Sequence, residues 1–134
     1  MPPLVIIDSD SRCLWYHPDK QIVHHQFHQF IWGSDFRELL LAGAELLKKH
    51  KARKWLSDDR GMPVLRIEDI QWAQTEWFPS MVQAGWKYWA IVQPEKVIGQ
   101  INIERLMKEF SAAGIVARYF SDPDEAMHWL ESQH

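Results

Sequence analysis

Residues 21–57, QIVHHQFHQFIWGSDFRELLLAGAELLKKHKARKWLS, decide the fold. Polar and apolar side chains alternate over residues 21–31, which is the period of a β-strand. The period then changes to that of an amphipathic helix, with one apolar stripe formed by Phe36, Leu40, Gly43 and Leu47. A short segment over residues 52–57 follows and is predicted to be a strand. Together they predict strand, helix and strand, a unit whose two strands lie parallel in one sheet.

The same alternation continues to the C-terminus. Strands are predicted over residues 87–92 and 115–120. The helices that alternate with them are predicted to begin near Glu68, to cover 103–113, and to begin at Asp122. Because Pro79 has no N–H to donate, it should interrupt the first of these helices near Phe78.

Apolar runs over residues 4–7 and 13–17 precede this pattern and predict strands of an opening β-hairpin. The sequence therefore predicts an α/β fold with a mixed, mostly parallel sheet covered by about four helices. The N-terminal hairpin should add an antiparallel edge. No linker divides the chain, so residues 1–134 are expected to form one domain.

Composition excludes several classes of function. Lysine and arginine total 15 against 18 acidic residues, a net charge of −3, whereas binding to nucleic-acid phosphates usually requires a basic excess. A single cysteine excludes an internal disulfide framework and a multi-cysteine zinc site. No apolar run is long enough to span a membrane, and the start lacks a signal peptide's features. We therefore expect a cytoplasmic protein without membrane insertion.

Charged side chains follow the predicted strand over residues 52–57. Asp58, Asp59 and Arg60 lie at its carboxyl end, the edge where open α/β sheets bind ligands, and Glu68 and Asp69 begin the next helix. Paired carboxylates suit acid–base chemistry or a metal ion. Ordinary ion pairs and stabilisation of the helix dipole are the alternative. These five residues are the candidate ligand or partner corner.

Motifs of known enzymes do not accompany this corner. The chain has no Gly-x-Ser-x-Gly elbow, no glycine-rich phosphate loop and no His-Glu-x-x-His. His24, His25 and His28 share a strand but alternate between its faces, so they cannot form one tetrahedral zinc site by themselves. Cys13 lies in an apolar strand without an adjacent histidine, which predicts a buried, unreactive thiol. We expect no catalytic residues, no metal and no cofactor.

One of the eight tryptophans is predicted to point away from the core. Trp72 lies about 200° around its helix from Ile70, at about 100° per residue. With Phe78 and Pro79 it forms a candidate apolar interface for a protein partner or a second copy of the chain. The alternative is a single exposed tryptophan that packs on a neighbouring loop.

The order of elements and three local patterns resemble the bacterial STAS-like family of small single-domain proteins. The patterns are KWLSDDR at 54–60, EWFP at 76–79, and YFSD at 119–122 followed by Glu125-Ala126 and Trp129-Leu130. The resemblance covers about residues 12–132. It implies the fold of the anti-sigma-factor antagonists, which is sometimes grouped with CRAL-TRIO lipid-binding domains.

The resemblance implies a fold without naming a reaction. Antagonists of this type carry a phosphorylatable serine where the helix after the third strand begins, but residues 58–74 here contain no serine or threonine. Ser57 is the nearest hydroxyl. The first hypothesis is therefore a non-enzymatic, homodimeric interaction or regulatory module without the phosphoserine switch. The alternative is a carrier of a small apolar ligand such as a lipid. A hydrolase or transferase that uses Asp58, Asp59 and Arg60 is the third hypothesis.

Overall fold

The computed structural model describes residues 2–134 and confirms the α/β fold with a mostly parallel sheet. Its six strands lie side by side in chain order. They are β1 (Leu4–Asp8), β2 (Arg12–His17), β3 (Ile22–Phe27), β4 (Lys54–Asp58), β5 (Tyr88–Val92) and β6 (Val116–Phe120). The first three strands pair antiparallel, and β3 to β6 pair parallel, so the opening hairpin forms the predicted antiparallel edge.

The helices connect the parallel strands and close the chain. They are α1 (Ser34–His50), α2 (Ile67–Trp72), α3 (Phe78–Gln83), α4 (Glu95–Ile98), α5 (Ile103–Ala112) and α6 (Pro123–Glu131). Helix α6 begins after Asp122, as the sequence predicts. The Asp122 side chain caps the helix by accepting a hydrogen bond from the N–H of Asp124 at 2.9 Å. Within residues 2–134, no helix combines the length and apolarity needed to cross a membrane.

The alternation of each strand divides the interior into two layers. Val23 and Trp55 belong to the larger core, where α1 and the α2–α3 segment cover one face of the sheet. Their neighbours Ile22 and Leu56 point to the other face, where α6 packs through Ala126 and Leu130. The period of two along a strand therefore sends adjacent residues of β3 and β4 into different environments.

The segment around Pro79 is a helix with one wide turn. Between α2 and α3, residues Ala73–Trp77 form a π-helical turn in which the N–H of Phe78 donates to the carbonyl of Ala73, five residues earlier. A proline clashes with the carbonyl four residues before it and has no N–H for that acceptor, and a wider turn removes the conflict. The predicted interruption near Phe78 is confirmed, and it takes the form of a π-helical turn.

The predicted strand over residues 21–31 is too long. β3 ends at Phe27, which pairs with Arg12, the first residue of β2. Beyond that pair, one more backbone hydrogen bond runs from the N–H of His28 to the carbonyl of Ser11 at 2.9 Å, and residues 29–31 then leave the sheet although their side chains still alternate. Ile31 turns into the core, and its N–H donates to the sulfur of Met62 at 3.0 Å.

Helix α1 approaches the sheet closely at one glycine. A Cβ atom added to Gly43 would overlap the six-membered ring of Trp55 on β4. The Trp55 side chain is fully buried, and its ring meets Trp77 edge to face at 5.3 Å between centroids. The missing side chain at Gly43 therefore makes the space that the Trp55 indole occupies.

Candidate functional site

The carboxylates of Asp58 and Asp59 point to opposite faces of the sheet. Asp58, the last residue of β4, is bound by Arg60 through both oxygens, with Nε to Oδ1 at 2.9 Å and Nη2 to Oδ2 at 2.7 Å. The hydrogen bond with Asp58 raises the pKa of the Arg60 guanidinium. This bidentate ion pair occupies both oxygens of Asp58, so the Asp58 carboxylate does not act together with that of Asp59.

Asp59 lies on the face of α1 and binds a buried histidine. Its Oδ1 is 2.8 Å from Nε2 of His25, while Nδ1 of His25 accepts a hydrogen bond from the indole N–H of Trp55 at 2.9 Å. Because an indole N–H can only donate, Nδ1 must present a lone pair and the imidazole proton lies on Nε2. Trp55 thus fixes a neutral tautomer of His25 that donates to the carboxylate of Asp59.

The remaining two corner residues have partners of their own. Glu68 is exposed and forms an ion pair with Arg66, with Nε to Oε2 at 2.7 Å. Asp69 is 1% exposed; it accepts the N–H of Gly33 at 3.0 Å, and its other oxygen lies 3.5 Å from Nε of Arg37. Asp69 therefore ties the start of α2 to the start of α1.

A cavity of about 110 Å³ lies between the sheet and the helices, and Asp59 is the one corner residue that lines it. Four aromatic side chains form much of its wall: Phe27, Phe36, Trp77 and Trp89. Three aliphatic side chains complete the apolar part: Leu40, Leu65 and Ala73. Ala73 and Trp77 are the first and last residues of the π-helical turn, so this wide turn forms one side of the cavity. Wide turns of this kind are frequent at functional sites.

The polar part of the cavity wall consists of three side chains. Besides Asp59 and His25 it contains Ser57, whose hydroxyl oxygen accepts the indole N–H of Trp89 at 2.9 Å. His25 on β3 and Ser57 on β4 are partners in the parallel register, which places them side by side. Burial, followed by the negative charge of Asp59, raises the pKa of Tyr119 on β6.

This arrangement suits binding better than nucleophilic catalysis. A serine nucleophile needs a base within hydrogen-bond reach, and both ring nitrogens of His25 already bind Trp55 and Asp59. Among the described residues 2–134, the hydrogen-bond partner of Ser57 Oγ is the indole N–H of Trp89 and not His25. The cavity therefore offers apolar walls, one carboxylate and one hydroxyl, and no activated nucleophile.

Three other histidines make contacts away from the cavity. Nε2 of His17 lies 3.1 Å from Nδ1 of His24 on the face of α6, and burial, with the neighbouring charge of His17 next, lowers the pKa of His24 to about 3. His28 Nε2 lies 3.3 Å from the sulfur of Cys13. No group of three or more metal-ligating side chains able to hold an ion occurs over 2–134.

The expectation that Cys13 has no adjacent histidine is wrong. The antiparallel pairing of β2 with β3 brings His28, fifteen residues later in the chain, to the Cys13 sulfur. The thiol is nevertheless buried, and burial raises its pKa, which is the environment of an unreactive thiol.

The prediction that Trp72 points away from the core is also wrong. Its ring is half-buried against α1, 6.4 Å from the Phe36 ring centroid and 5.2 Å from the Arg37 guanidinium carbon. The buried stripe of this helix begins at Asp69, and Trp72 lies only about 60° from that residue at about 100° per residue. Hydrophobic periodicity places the stripe at Ile70, because it does not count a buried carboxylate as part of a buried face.

Phe78 and Pro79 do not join Trp72 in one patch. The Phe78 ring packs on Trp86 at 5.4 Å and on Phe110 of α5 at 6.0 Å, away from α1, whereas Pro79 is exposed. The three side chains therefore contact different neighbours. Their role as an interface stays a prediction.

Sequence reasoning identified Asp59 but missed the residues around it. His25, Trp55, Ser57 and Trp89 share the inward-facing positions of three adjacent strands. The available signal was the presence of polar residues, His25 and Ser57, at inward-facing positions of central strands, because buried polar groups require hydrogen-bond partners. Their combination becomes visible only once the strand register is known.

Comparisons of the chain with protein-family models, curated proteins and solved structures found no match. The resemblance to STAS-like proteins therefore stays a prediction. The contacts around the cavity are the basis for the functional conclusion.

Proposed function

We propose that this protein binds a compact, largely apolar small molecule in the cavity beneath the π-helical turn. The supporting observation is the cavity itself, in which mostly apolar walls surround the carboxylate of Asp59 and the hydroxyl of Ser57. Small-molecule sites typically combine apolar walls with a few polar groups that fix orientation. The proposal narrows the carrier hypothesis drawn from the sequence.

The size of the cavity defines what it holds. Its volume of about 110 Å³ is close to that of an engineered apolar cavity of about 150 Å³ that binds benzene. Pockets for drug-sized ligands are larger, about 300–1,000 Å³. A molecule about the size of benzene fits, whereas a long fatty-acyl chain exceeds the space. A small ligand is therefore favoured over a lipid.

The test uses benzene as a probe and a substitution that fills the cavity. Ala73→Leu places a larger side chain in the wall, and Ala112→Leu makes the same change at an exposed position of α5. Benzene should raise the unfolding temperature of the native protein and of Ala112→Leu, and should leave Ala73→Leu unchanged. A ligand at about 100 times its Kd stabilises the folded state by about 2.7 kcal/mol, which a thermal shift detects easily.

Two outcomes would count against the proposal. Equal shifts in native protein and Ala73→Leu would place the probe outside the cavity. Absence of any shift with benzene, together with no saturable signal in ligand-detected NMR, would indicate a cavity that small molecules do not enter.

The interaction module predicted from the sequence is the second candidate function, and a different surface favours it. Phe30 and Trp32 are 47% and 53% exposed, and their rings stack at 5.7 Å between centroids. The loop that carries them contacts the loop after β4 through Ile31 and Met62, and that second loop exposes Val64. Exposed apolar side chains concentrated in this way are typical of interaction sites.

Self-association is the form of interaction that we propose for this surface. Sedimentation of the native protein should show a dimer that Trp32→Ser weakens, while Trp72→Ser, at a half-buried position, tests the surface predicted from the sequence. A monomer at all concentrations would contradict self-association. A dimer unaffected by Trp32→Ser would exclude this surface.

A further inference from the structure

We infer that the ligand of the cavity is a compact alkylammonium cation, paired with Asp59 and in contact with the aromatic rings of the cavity wall. The inference rests on the proposed binding function and names the class of ligand. The inference goes beyond that function, because the shape of the cavity alone would accept any small apolar molecule.

The charge in the cavity wall is the first argument. The Asp59 side chain is 20% exposed, and its partner His25 is held in a neutral tautomer by Trp55. The nearby Arg60 is bound to Asp58 on the opposite face. The side chains of residues 2–134 that line the cavity include no lysine or arginine. A partly buried carboxylate without a cationic side chain in the cavity wall is stabilised by a ligand that brings a positive charge.

The same charge argues against the other classes of ligand. An anionic ligand would meet the Asp59 carboxylate in a cavity without a cationic side chain, and like charges at short range repel. A neutral hydrocarbon would leave the carboxylate without any new partner. A cation with a small apolar body satisfies both parts of the wall.

The aromatic rings are the second, independent argument. Four of the ten side chains that line the cavity are aromatic: Phe27, Phe36, Trp77 and Trp89. The face of an aromatic ring is electronegative and attracts a cation within about 6 Å, more strongly when water is excluded. Rings grouped around a small space are the arrangement that recognises alkylated ammonium groups.

The experiment compares two probes of equal shape and different charge. Choline is the cation, and the neutral probe is its analogue in which carbon replaces the quaternary nitrogen. Isothermal titration of the native protein should show choline binding at least tenfold more tightly than the neutral analogue. Benzene is included as the probe of the cavity itself.

The variants separate the carboxylate of the cavity from a carboxylate far from it. Asp59→Asn should lower the affinity for choline about tenfold or more and leave the affinity for the neutral analogue nearly unchanged. Glu125→Gln removes one negative charge at an exposed position of α6, which covers the opposite face of the sheet, and should leave choline binding unchanged. If Asp59→Asn does not fold, Phe36→Leu supplies the test, because it removes an aromatic face and keeps an apolar wall. It should then weaken choline more than the neutral analogue.

Each remaining outcome decides one of the two proposals. If the neutral analogue binds as tightly as choline, or if Asp59→Asn leaves choline binding unchanged, the cation assignment is overturned while binding in the cavity stands. Benzene binding without choline binding has the same meaning. If choline, the analogue and benzene all fail to bind, both the cation assignment and the proposed function are overturned.

Discussion

Replacement of Gly43 by alanine tests whether the close approach of α1 fixes the indole behind the cavity. Alanine is favoured over glycine inside a helix by about 1 kcal/mol, so propensity alone predicts a more stable protein. The added methyl group, however, overlaps the ring of Trp55, which is fully buried and hydrogen-bonded to His25. Overpacking of a rigid core costs about 1–3 kcal/mol, and a ring held on several sides places this site in the upper half of that range. We expect a net loss of about 1–2 kcal/mol in the free energy of unfolding.

The assay is urea denaturation followed by far-UV circular dichroism. Gly99→Ala is the matched control, since a Cβ at Gly99 meets no atom closer than 3.6 Å and the residue has ordinary helical dihedral angles. That substitution should be neutral or stabilise the protein by about 0.4–1 kcal/mol, because it reduces the entropy of the unfolded chain. The difference between the stability changes of Gly43→Ala and Gly99→Ala therefore measures the effect of close packing at Gly43 and not the helix propensity of alanine.

A double-mutant cycle with Trp55→Phe identifies the group that clashes. Trp55→Phe replaces the indole by a shorter ring that lacks the outer atoms overlapping the added methyl group, so Gly43→Ala should become neutral or favourable in that background. The expected coupling energy is about 2 kcal/mol, within the range measured for residues in contact. A Gly43→Ala variant as stable as the native protein, or a coupling energy near zero, would refute this account of how Trp55 is positioned.

Three further measurements test other parts of the molecule. Because unfolded histidine titrates near 6.5 and burial lowers the pKa of His24 to about 3, stability should be complete above pH 6.5 and fall as the pH drops toward 3, and His24→Gln should reduce that fall in acid-denaturation curves. An acid curve that His24→Gln leaves unaltered would contradict this. Asp69→Ala should lower the free energy of unfolding by about 2 kcal/mol in urea, because it leaves the partly buried N–H of Gly33 without its acceptor, whereas Glu68→Ala should change it by less than about 0.5 kcal/mol. Similar losses in the two variants would remove the distinction. Cys13, whose pKa is raised by burial, should react with iodoacetamide at neutral pH far more slowly in the folded than in the unfolded protein, and equal rates would show an accessible thiol.

The elements could be predicted because hydrophobic periodicity is a local property of the chain. The stripe over α1 and the alternation in β3 place both elements correctly, and the pattern around Pro79 places the interruption of the second helix. The end of β3 could not be predicted in the same way. It depends on where β2 begins, and a strand ends when its partner ends, whatever its own side chains favour.

The candidate site could be predicted only in part. Asp59 was accessible to sequence reasoning because ligands bind at the carboxyl edge of parallel strands. Its partner His25 lies 34 positions earlier, and the two meet only through the parallel register of β3 and β4. Trp72 was misplaced because its helix is anchored by Asp69, a buried acid that hydrophobic periodicity assigns to the surface.

The order of the strands has a consequence for how the protein forms. Each strand lies beside the one that precedes it in the chain, so every pairing closes only a short segment and contact order stays low for a parallel sheet. All side chains that line the cavity belong to residues 25–89. During synthesis from the N-terminus, the walls of the binding cavity can therefore assemble before the last third of the chain has been made, and α6 then closes the opposite face.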